Sequence, residues 1–493
     1  MVIRRTEPRE RLSVGTDSIA LGDRTAALAT GRGHYPKAAF PMLSRSITPL
    51  HATTLVVGII IGASIFVQPS VITGAVPTVS GVYAVWIVSG ILTLLGALIA
   101  AELASAFPHA GGVYVFLREA FSPVVGFLWG WAMFWTMHTG IIAVIAMVFA
   151  RYVAFFAPAS DAGLRMYAVS AVVVLTAVNY VGVRQGSLVQ TTFTIIKVAA
   201  VVAIIVAAFA LGPRHPVPYA AAAPGAAPSP PAPFTISQFP LAVVAGLFAF
   251  GGWHMVTYAA EETREPERTI PRALVAGVLI VTACYVALNA AYFHVLSPAG
   301  IATSNRVAAD AADAVLGHGG AALMSAAVVA STFGALNGVI LSGPRAYLAM
   351  ARDRLLVGWA AEIHPRFRTP HRAIVLQGTW AVILVSTGTY RALFTRVVYT
   401  EWIFFALMAV GLMRLRARAT YAPAYRVWGY PLVPAGFIVC SALIVINQIA
   451  HTPAESALGL LLVLAGLPVY LIWLRKRPRA AASSPPRPPA NAD

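Results

Sequence analysis

Two apolar stretches of this sequence are interrupted near their centres by small residues, and such interruptions can bind a solute. Residues 241–262 read LAVVAGLFAFGGWHMVTYAAEE, with Gly251 and Gly252 in the middle. The first apolar stretch, near 50–70, carries Gly-Ala-Ser at residues 62–64. A glycine costs a helix about 1 kcal/mol relative to alanine. Inside a membrane, the backbone groups that a break frees must be buried in protein or line a cavity. Both stretches are therefore predicted to be broken helices beside a cavity.

The chemistry of a helix break favours a ligand with two opposite charges. Free N–H groups at the start of the second half-helix attract a carboxylate, and free C=O groups at the end of the first attract an ammonium. Gly62 and Gly251 are 189 residues apart, near the spacing of a five-helix repeat in this chain. Matched breaks in two halves indicate a transporter's substrate site, and tight packing through small residues is the alternative. We predict a zwitterion, an amino acid, as the ligand.

Two charged residues, Lys197 and Glu401, lie within apolar stretches. A lysine at the centre of a membrane helix costs about 2.5–3.5 kcal/mol, so Lys197 is expected to face the interior of the bundle. A fixed cation there would substitute for a bound sodium ion and argues against sodium coupling. Glu401 lies near one end of its stretch. It either faces the site and relays protons or lies at the membrane interface, and the sequence leaves both open.

Further polar residues lie in or beside the apolar stretches. We expect His138 to be a hydrogen-bonded packing residue and His254, just after the second break, to line the site. Asn337 either links neighbouring helices or forms a pocket wall. The remaining three are acids at the ends of apolar stretches, and we expect them to pair with arginines rather than to carry charge within the membrane: Glu102, Glu261 and Glu262.

Composition sets the class of the protein. Of 493 residues, 58% are hydrophobic and 11% are charged, against about 25% charged in soluble domains. Several apolar runs of membrane-spanning length predict an all-α polytopic membrane protein. The net charge of +17 is explained by topology and not by nucleic acid. Two cysteines, Cys284 and Cys440, imply no disulfide framework. No nucleophile–base pair or metal-ligand spacing occurs, so we expect neither an enzyme, a metal nor a cofactor.

The chain is predicted to be one membrane domain, residues 48–477, between disordered cytoplasmic tails at 1–47 and 478–493. Twelve spans are predicted near 50–70, 82–105, 123–155, 166–181, 187–211, 240–260, 273–296, 321–350, 373–390, 394–413, 431–450 and 453–474. With both termini cytoplasmic, 28 of the 35 Lys and Arg residues lie inside, as the positive-inside rule requires. A Pro/Ala-rich outer linker is expected at 212–239. At 309–317 we expect a plain surface helix on the outer face, in preference to a lid.

The segment GLFAFGGWHMVTYAAEETREPERTIPRAL resembles the sixth span and following loop of L-type amino acid transporters and their bacterial relatives, in the amino acid–polyamine–organocation superfamily. The segments AELASAFPHAGGVYVFLREAF and STFGALNGVILSGPRAYLAMARD extend the similarity, which covers residues 48–477. The resemblance implies a LeuT-type fold of about 12 helices: inverted repeats at about 48–211 and 240–390, then two extra helices at about 394–474. It also implies sodium-independent carriage of amino acids, often by exchange, in a bacterial inner membrane.

The resemblance also assigns roles to residues. Gly62, Ala63 and Ser64 match the loop that receives the substrate carboxylate, and Ile60 and Ile61 lie where a carbonyl takes the amino group. Residues at the sixth-span break match backbone carbonyls, the gating phenylalanine and a position facing the substrate side chain: Phe248, Ala249, Phe250, Gly251, Gly252, Trp253 and His254. Lys197 matches the family's fifth-span lysine, which ties the first span to coupling, and Asn337 falls in the eighth-span pattern.

Three departures from the family pattern change these expectations. Gly-Ala-Ser at 62–64 replaces the usual Gly-Ser-Gly, so Ser64 adds a side chain where a backbone normally approaches the ligand. The loop at 158–165 has no cysteine, so we expect no disulfide-linked heavy subunit. Glu401 stands where animal members more often have Asn, which favours proton symport. A permease for an organic amine or polyamine and a non-transporting amino acid sensor are the alternatives to an amino acid permease.

Overall fold

The structure, a computed structural model, describes residues 43–62, 64–212, 238–304, 306–317, 319–388 and 399–475. Over these residues the regular backbone is helical, and β pairing is limited to one isolated parallel bridge between Ile47 and Thr263. The predicted tails lie mostly outside the described residues, as does the predicted linker at 212–239. Residues 43–47, which we placed in the N-terminal tail, include Leu43 and Ile47, both buried against the bundle.

The first half of the chain forms eight α-helices: α1 (Pro49–Ile60), α2 (Gln68–Ala75), α3 (Val79–Ala106), α4 (Val113–Ala120), α5 (Pro123–Ala132), α6 (His138–Val153), α7 (Asp161–Val181) and α8 (Val183–Leu211). A 3₁₀ turn at Ser64–Phe66 joins α1 to α2, and a π-helical turn at Met133–Met137 joins α5 to α6. Hydroxyl side chains cap several helix starts: the Thr48 and Thr78 oxygens accept from His51 N and Gly81 N, which satisfies backbone groups that a helix leaves unpaired.

The second half contains eleven more: α9 (Gln238–Ala249), α10 (Pro266–Val295), α11 (Pro298–Thr303), α12 (Val307–Leu316), α13 (Gly320–Ser342), α14 (Pro344–Arg352), α15 (His371–Thr387), α16 (Thr400–Arg416), α17 (Leu432–His451), α18 (Pro453–Leu464) and α19 (Gly466–Arg475). The segments Trp253–Glu262 and Gly358–Ala361 are 3₁₀ helices. Proline at the start of α10, α14 and α18 fits because the first helical N–H has no partner within the helix.

Nine helical segments among the described residues are long and apolar enough to cross a membrane. The prediction of an all-helical polytopic membrane protein is confirmed. The first, ninth and tenth predicted spans are shorter α-helices of 12, 17 and 17 residues. The tenth, predicted from 394, is helical over Thr400–Arg416, and its predicted first residues lie outside the described part of the chain.

The two broken spans lie near the centre of the helix packing. α1 packs against α8, α10 and α13, and α9 packs against α3. In the most apolar window of α3, 61% of residues are buried, whereas the corresponding windows of α17 and of Pro453–Ile472 are 28% buried. The last two spans therefore present their apolar side chains to the outside of the bundle, as lipid contact requires.

The helix predicted at 309–317 is not a plain surface helix. α12 is buried from Val307 to Ala312 and packs against α13 and α8. The Asp310 carboxylate accepts a 2.5 Å hydrogen bond from the Ser304 hydroxyl and pairs with Arg306. The expectation from composition was wrong because alanine, which dominates this segment, is small enough to pack closely against neighbouring helices.

Candidate functional site

The first break follows α1 directly. The Gly62 amide bonds to the Ile60 carbonyl at 2.7 Å, so the Gly58 carbonyl does not receive its helical donor. Ser64 then begins the 3₁₀ turn and Val67 N bonds to its carbonyl at 3.1 Å. Ala63, predicted to help receive a carboxylate, lies outside the described residues.

The second break follows α9. α-Helical geometry ends at Ala249, and Gly251 N bonds to Phe248 O at 3.1 Å, in a tighter turn. Gly252 has φ = +89°, a left-handed conformation that glycine adopts without strain. A Cβ on Gly252 would lie 2.4 Å from the Ile59 Cγ2 atom of the first broken span. The glycine thus allows the two breaks to touch.

Tyr285 of α10 links the two breaks and was not among the residues predicted for the site. Its hydroxyl lies 2.9 Å from the Ile60 carbonyl and 3.0 Å from the Ala249 carbonyl, the ends of the two half-helices. Its ring contacts Phe250 and Trp86, and all three side chains are buried. A tyrosine within an apolar span carries no sequence signal that would distinguish it from a packing residue.

Lys197 of α8 faces the interior of the bundle and is 1% exposed. Its ammonium donates to three backbone carbonyls: Gly58 O at 2.8 Å, Ile61 O at 2.7 Å and Ser331 O at 2.9 Å. Two of these carbonyls flank the end of α1. The lysine therefore supplies donors where the helix cannot, and it joins α1, α8 and α13.

A cavity of about 90 Å³ lies against the second break. It touches both glycines of that break, and Glu401 of α16 is part of its wall. Its lining residues are Thr93, Ile141, Val244, Leu247, Phe248, Gly251, Gly252, Trp253, Met255, Tyr399, Glu401, Trp402, Phe405, Ile444 and Gln448. Glu401 thus borders the same cavity as the second break, and its role in the site or at the membrane interface stays a prediction.

His254 lies behind this wall. Its ring is 2% exposed and packs edge-on against Trp129, Trp253 and Phe405, with ring centroids 5.0–5.8 Å apart. The Nδ1 atom is buried and has no hydrogen-bond partner within the described part of the chain. Phe250 is also fully buried, whereas Phe248 is partly exposed in the cavity.

Asn337 and His138 connect helices. Asn337 donates to Gly186 O at 2.9 Å and to Gln190 Oε1 at 3.3 Å, and it accepts from Asn179 Nδ2 at 2.9 Å. These bonds join α13 to α7 and α8. The His138 ring lies 2.8 Å from the Val339 carbonyl, which is the packing role expected for it.

Arginine–acid pairs close the end of the bundle at which the second broken span terminates. Glu262 and Arg345 are almost completely buried (0% and 1% exposed) and pair through two bonds of 2.7 and 3.0 Å. Glu261 pairs with Arg352 at 2.7 Å. Glu102 binds Arg416 at 2.5 and 2.8 Å. The predicted pairing of all three acids with arginines is confirmed.

The segment before α1 adds to this closure. Ile47 N donates to Glu262 O at 3.0 Å, and Arg264 N donates to Ile47 O at 2.9 Å. The end of the sixth-span segment is thus held by backbone pairing on one side and by Arg345 and Arg352 of α14 on the other.

Comparison with known proteins identifies the family to which the chain belongs. The profile of the family described as "Amino acid permease" matches residues 47–475. The serine/threonine exchanger SteT of Bacillus subtilis is 33% identical over 87% of this chain and 96% of its own length. The mouse b(0,+)-type amino acid transporter 1 is 30% identical over 88% of each chain. The human cystine/glutamate transporter is 30% identical over 89% of this chain and 87% of its own. The protein belongs to the amino acid permease family and is a multi-pass membrane transporter of amino acids.

Proposed function

We propose that this protein is a sodium-independent permease for neutral amino acids that works by alternating access, as an exchanger or as a proton symporter. The observation that carries the proposal is the contact between the two helix breaks, which are packed together at Ile59 and Gly252 and bridged by the Tyr285 hydroxyl. Such paired breaks offer donors and acceptors for both ends of a zwitterion.

The substrate carboxylate is assigned to the backbone N–H groups of residues 62–64 and the amino group to the carbonyls that end α1 and α9. Ile60 and Ala249 supply those carbonyls, which Tyr285 already holds 2.9 and 3.0 Å from its hydroxyl. Asn337 is assigned to helix–helix bonding and not to the substrate, because Gly186, Gln190 and Asn179 occupy its amide.

Sodium independence is supported by Lys197. A cation bound at the end of a broken helix is coordinated by unwound carbonyls. In this chain the Lys197 ammonium contacts the carbonyls of Gly58 and Ile61 at 2.7–2.8 Å. The fixed charge occupies the carbonyls that a sodium ion would need at this break.

The proposed architecture has twelve helices, in two inverted five-helix repeats followed by two more, in a bacterial inner membrane. The distribution of Lys and Arg supports a cytoplasmic location of both termini. In that orientation the Arg345 end of the bundle is cytoplasmic and closed, and the cavity belongs to the outer half. No disulfide-linked heavy subunit is proposed, because the loop at 158–165 lacks a cysteine.

The full-length protein in proteoliposomes tests this function. Uptake of a panel of radiolabelled amino acids is measured with and without internal amino acid, with and without a pH gradient, and in sodium or choline buffer. We expect neutral amino acid uptake that is equal in sodium and choline. A requirement for internal substrate identifies exchange, and stimulation by an inward proton gradient identifies symport. Strict sodium dependence, or no uptake of any amino acid, would contradict the proposal.

A further inference from the structure

Glu401 differs from the other shielded acids of the described chain, because it has no partner. Seven other acids that are buried or half-buried each accept a hydrogen bond or form an ion pair: Glu102, Glu119, Glu261, Glu262, Asp310, Asp313 and Asp353. No hydrogen bond or ion pair joins Glu401 to another described residue, although it is half-buried. A carboxylate at membrane depth is costly unless its charge is balanced.

The cavity wall around Glu401 has the composition of a cation site. Trp253, Trp402, Phe405 and Phe248 line the same cavity as Glu401. Aromatic faces attract ammonium and guanidinium groups, most strongly when water is excluded. Among the described lining residues no lysine or arginine competes for the carboxylate.

The other polar groups of the cavity are already bonded or neutral. The Tyr399 hydroxyl donates to Ser456 O at 2.5 Å, and Gln448 donates to Thr452 Oγ1 at 2.8 Å. α3 contributes Thr93, whose hydroxyl donates to Ser89 O, and α9 contributes apolar side chains. Beyond the wall, the His254 ring packs on Trp253 and Phe405. Within the described residues, nothing on these elements supplies a positive charge to Glu401.

We propose that Glu401 and the aromatic rings around it form a subsite for the side-chain ammonium or guanidinium of basic amino acids, and that a proton takes this place when the substrate is neutral. The inference rests on the proposed amino acid permease function and adds a substrate class to it. The cavity then carries the same net charge with either substrate. The Glu401 carboxylate with a basic amino acid is neutral overall, and so is the protonated Glu401 with a neutral amino acid.

The charge balance predicts a coupled exchange. A basic amino acid enters bound to the Glu401 carboxylate and is released inside. The carboxylate then takes a proton from the interior together with a neutral amino acid, and both are released outside. One positive charge enters and one leaves, so the cycle is electroneutral, and the vesicle interior becomes more alkaline.

The test uses the full-length protein in proteoliposomes loaded with serine and a fluorescent pH indicator. Radiolabelled arginine or serine is supplied outside. We expect the native protein to take up arginine with a rise in internal pH, whereas serine–serine exchange causes none. In Glu401→Gln the ratio of arginine to serine uptake should fall at least tenfold, a difference of about 1.4 kcal/mol. Asp161→Asn is the matched control, since it removes an exposed carboxylate at the start of α7, and it should behave as native.

The outcomes separate the two proposals. Serine exchange by the native protein without arginine uptake, or arginine uptake without alkalinisation, overturns the Glu401 subsite and leaves the permease function standing. Arginine uptake and internal pH are both measured on the native protein, so they test the subsite even if Glu401→Gln does not fold. An unchanged arginine-to-serine ratio in a folded Glu401→Gln protein also overturns the subsite. Absence of exchange of any amino acid by the native protein contradicts the permease function itself.

Discussion

Replacing Lys197 by methionine tests whether a side chain holds the first break in shape. The change keeps an unbranched side chain and removes three donors, those to Gly58 O, Ile61 O and Ser331 O. Ser331 Oγ still donates to Ile61 O at 3.2 Å. The Gly58 carbonyl, in contrast, loses the donor that Lys197 supplies. A buried carbonyl without its donor costs about 1–3 kcal/mol. Removal of the buried lysine charge relieves about 2.5–3.5 kcal/mol, so we expect Lys197→Met to insert and fold.

The effect on function should be larger than the effect on folding. If the substitution destabilises the binding geometry of the first break by about 2 kcal/mol, the fraction of protein in that geometry falls about 30-fold. The apparent affinity for the substrate falls by the same factor. Substrate affinity is measured by calorimetry on purified protein and uptake by counterflow in proteoliposomes. Thermal unfolding reports on the fold.

Ser331→Ala provides the matched control for this prediction. It removes one neutral donor to Ile61 O, while Lys197 still contacts that carbonyl at 2.7 Å. Affinity should change less than threefold, about 0.7 kcal/mol. Native affinity and native uptake in a folded Lys197→Met protein would refute the assignment of Lys197 to the break.

Three further predictions concern the second broken span and a histidine in the loop before α4. Gly252→Ala should abolish uptake, because the new Cβ would lie 2.4 Å from Ile59 Cγ2 at φ = +89°. In Gly251→Ala the nearest contact of the new Cβ is Phe248 O at 3.2 Å, so uptake should fall less than in Gly252→Ala. Equal uptake by the two variants would contradict a contact between the breaks. Arg345→Met leaves the buried Glu262 carboxylate unpaired and should cost about 3–5 kcal/mol in thermal unfolding. The double variant Glu262→Met with Arg345→Met should be more stable than Arg345→Met alone, and a further loss would refute the ion-pair argument. Burial lowers the pKa of His109, in the loop before α4, although Glu261 opposes the shift. The folded protein therefore binds a proton at His109 less readily than the unfolded chain does. The free energy of unfolding falls as the pH drops below the ordinary histidine pKa, about 6.5. His109→Gln should reduce this loss of unfolding temperature between about pH 7 and 5, and an unchanged pH profile would exclude His109 as its source.

Part of this protein could be predicted from the sequence because the signal is local. Runs of apolar residues specify membrane helices by length alone, and Gly251 and Gly252 weaken a helix wherever it packs. The interior position of Lys197 follows from the cost of a charge in lipid. The acids at the end of the sixth span, Glu261 and Glu262, could be matched to arginines because arginines are numerous in the loops predicted on the same side.

The rest depends on tertiary packing. A helix that is apolar all round gives no indication of which face meets which neighbour. The sequence therefore left open whether Glu401 faces the break, and whether Asn337 bonds to neighbouring helices. Tyr285 could not be selected, since its role comes from two carbonyls that approach it from spans 36 and 225 residues away. Composition along the chain indicated that two helices break, and the packing of α10 against both decided that the breaks lie side by side, joined through the Tyr285 hydroxyl.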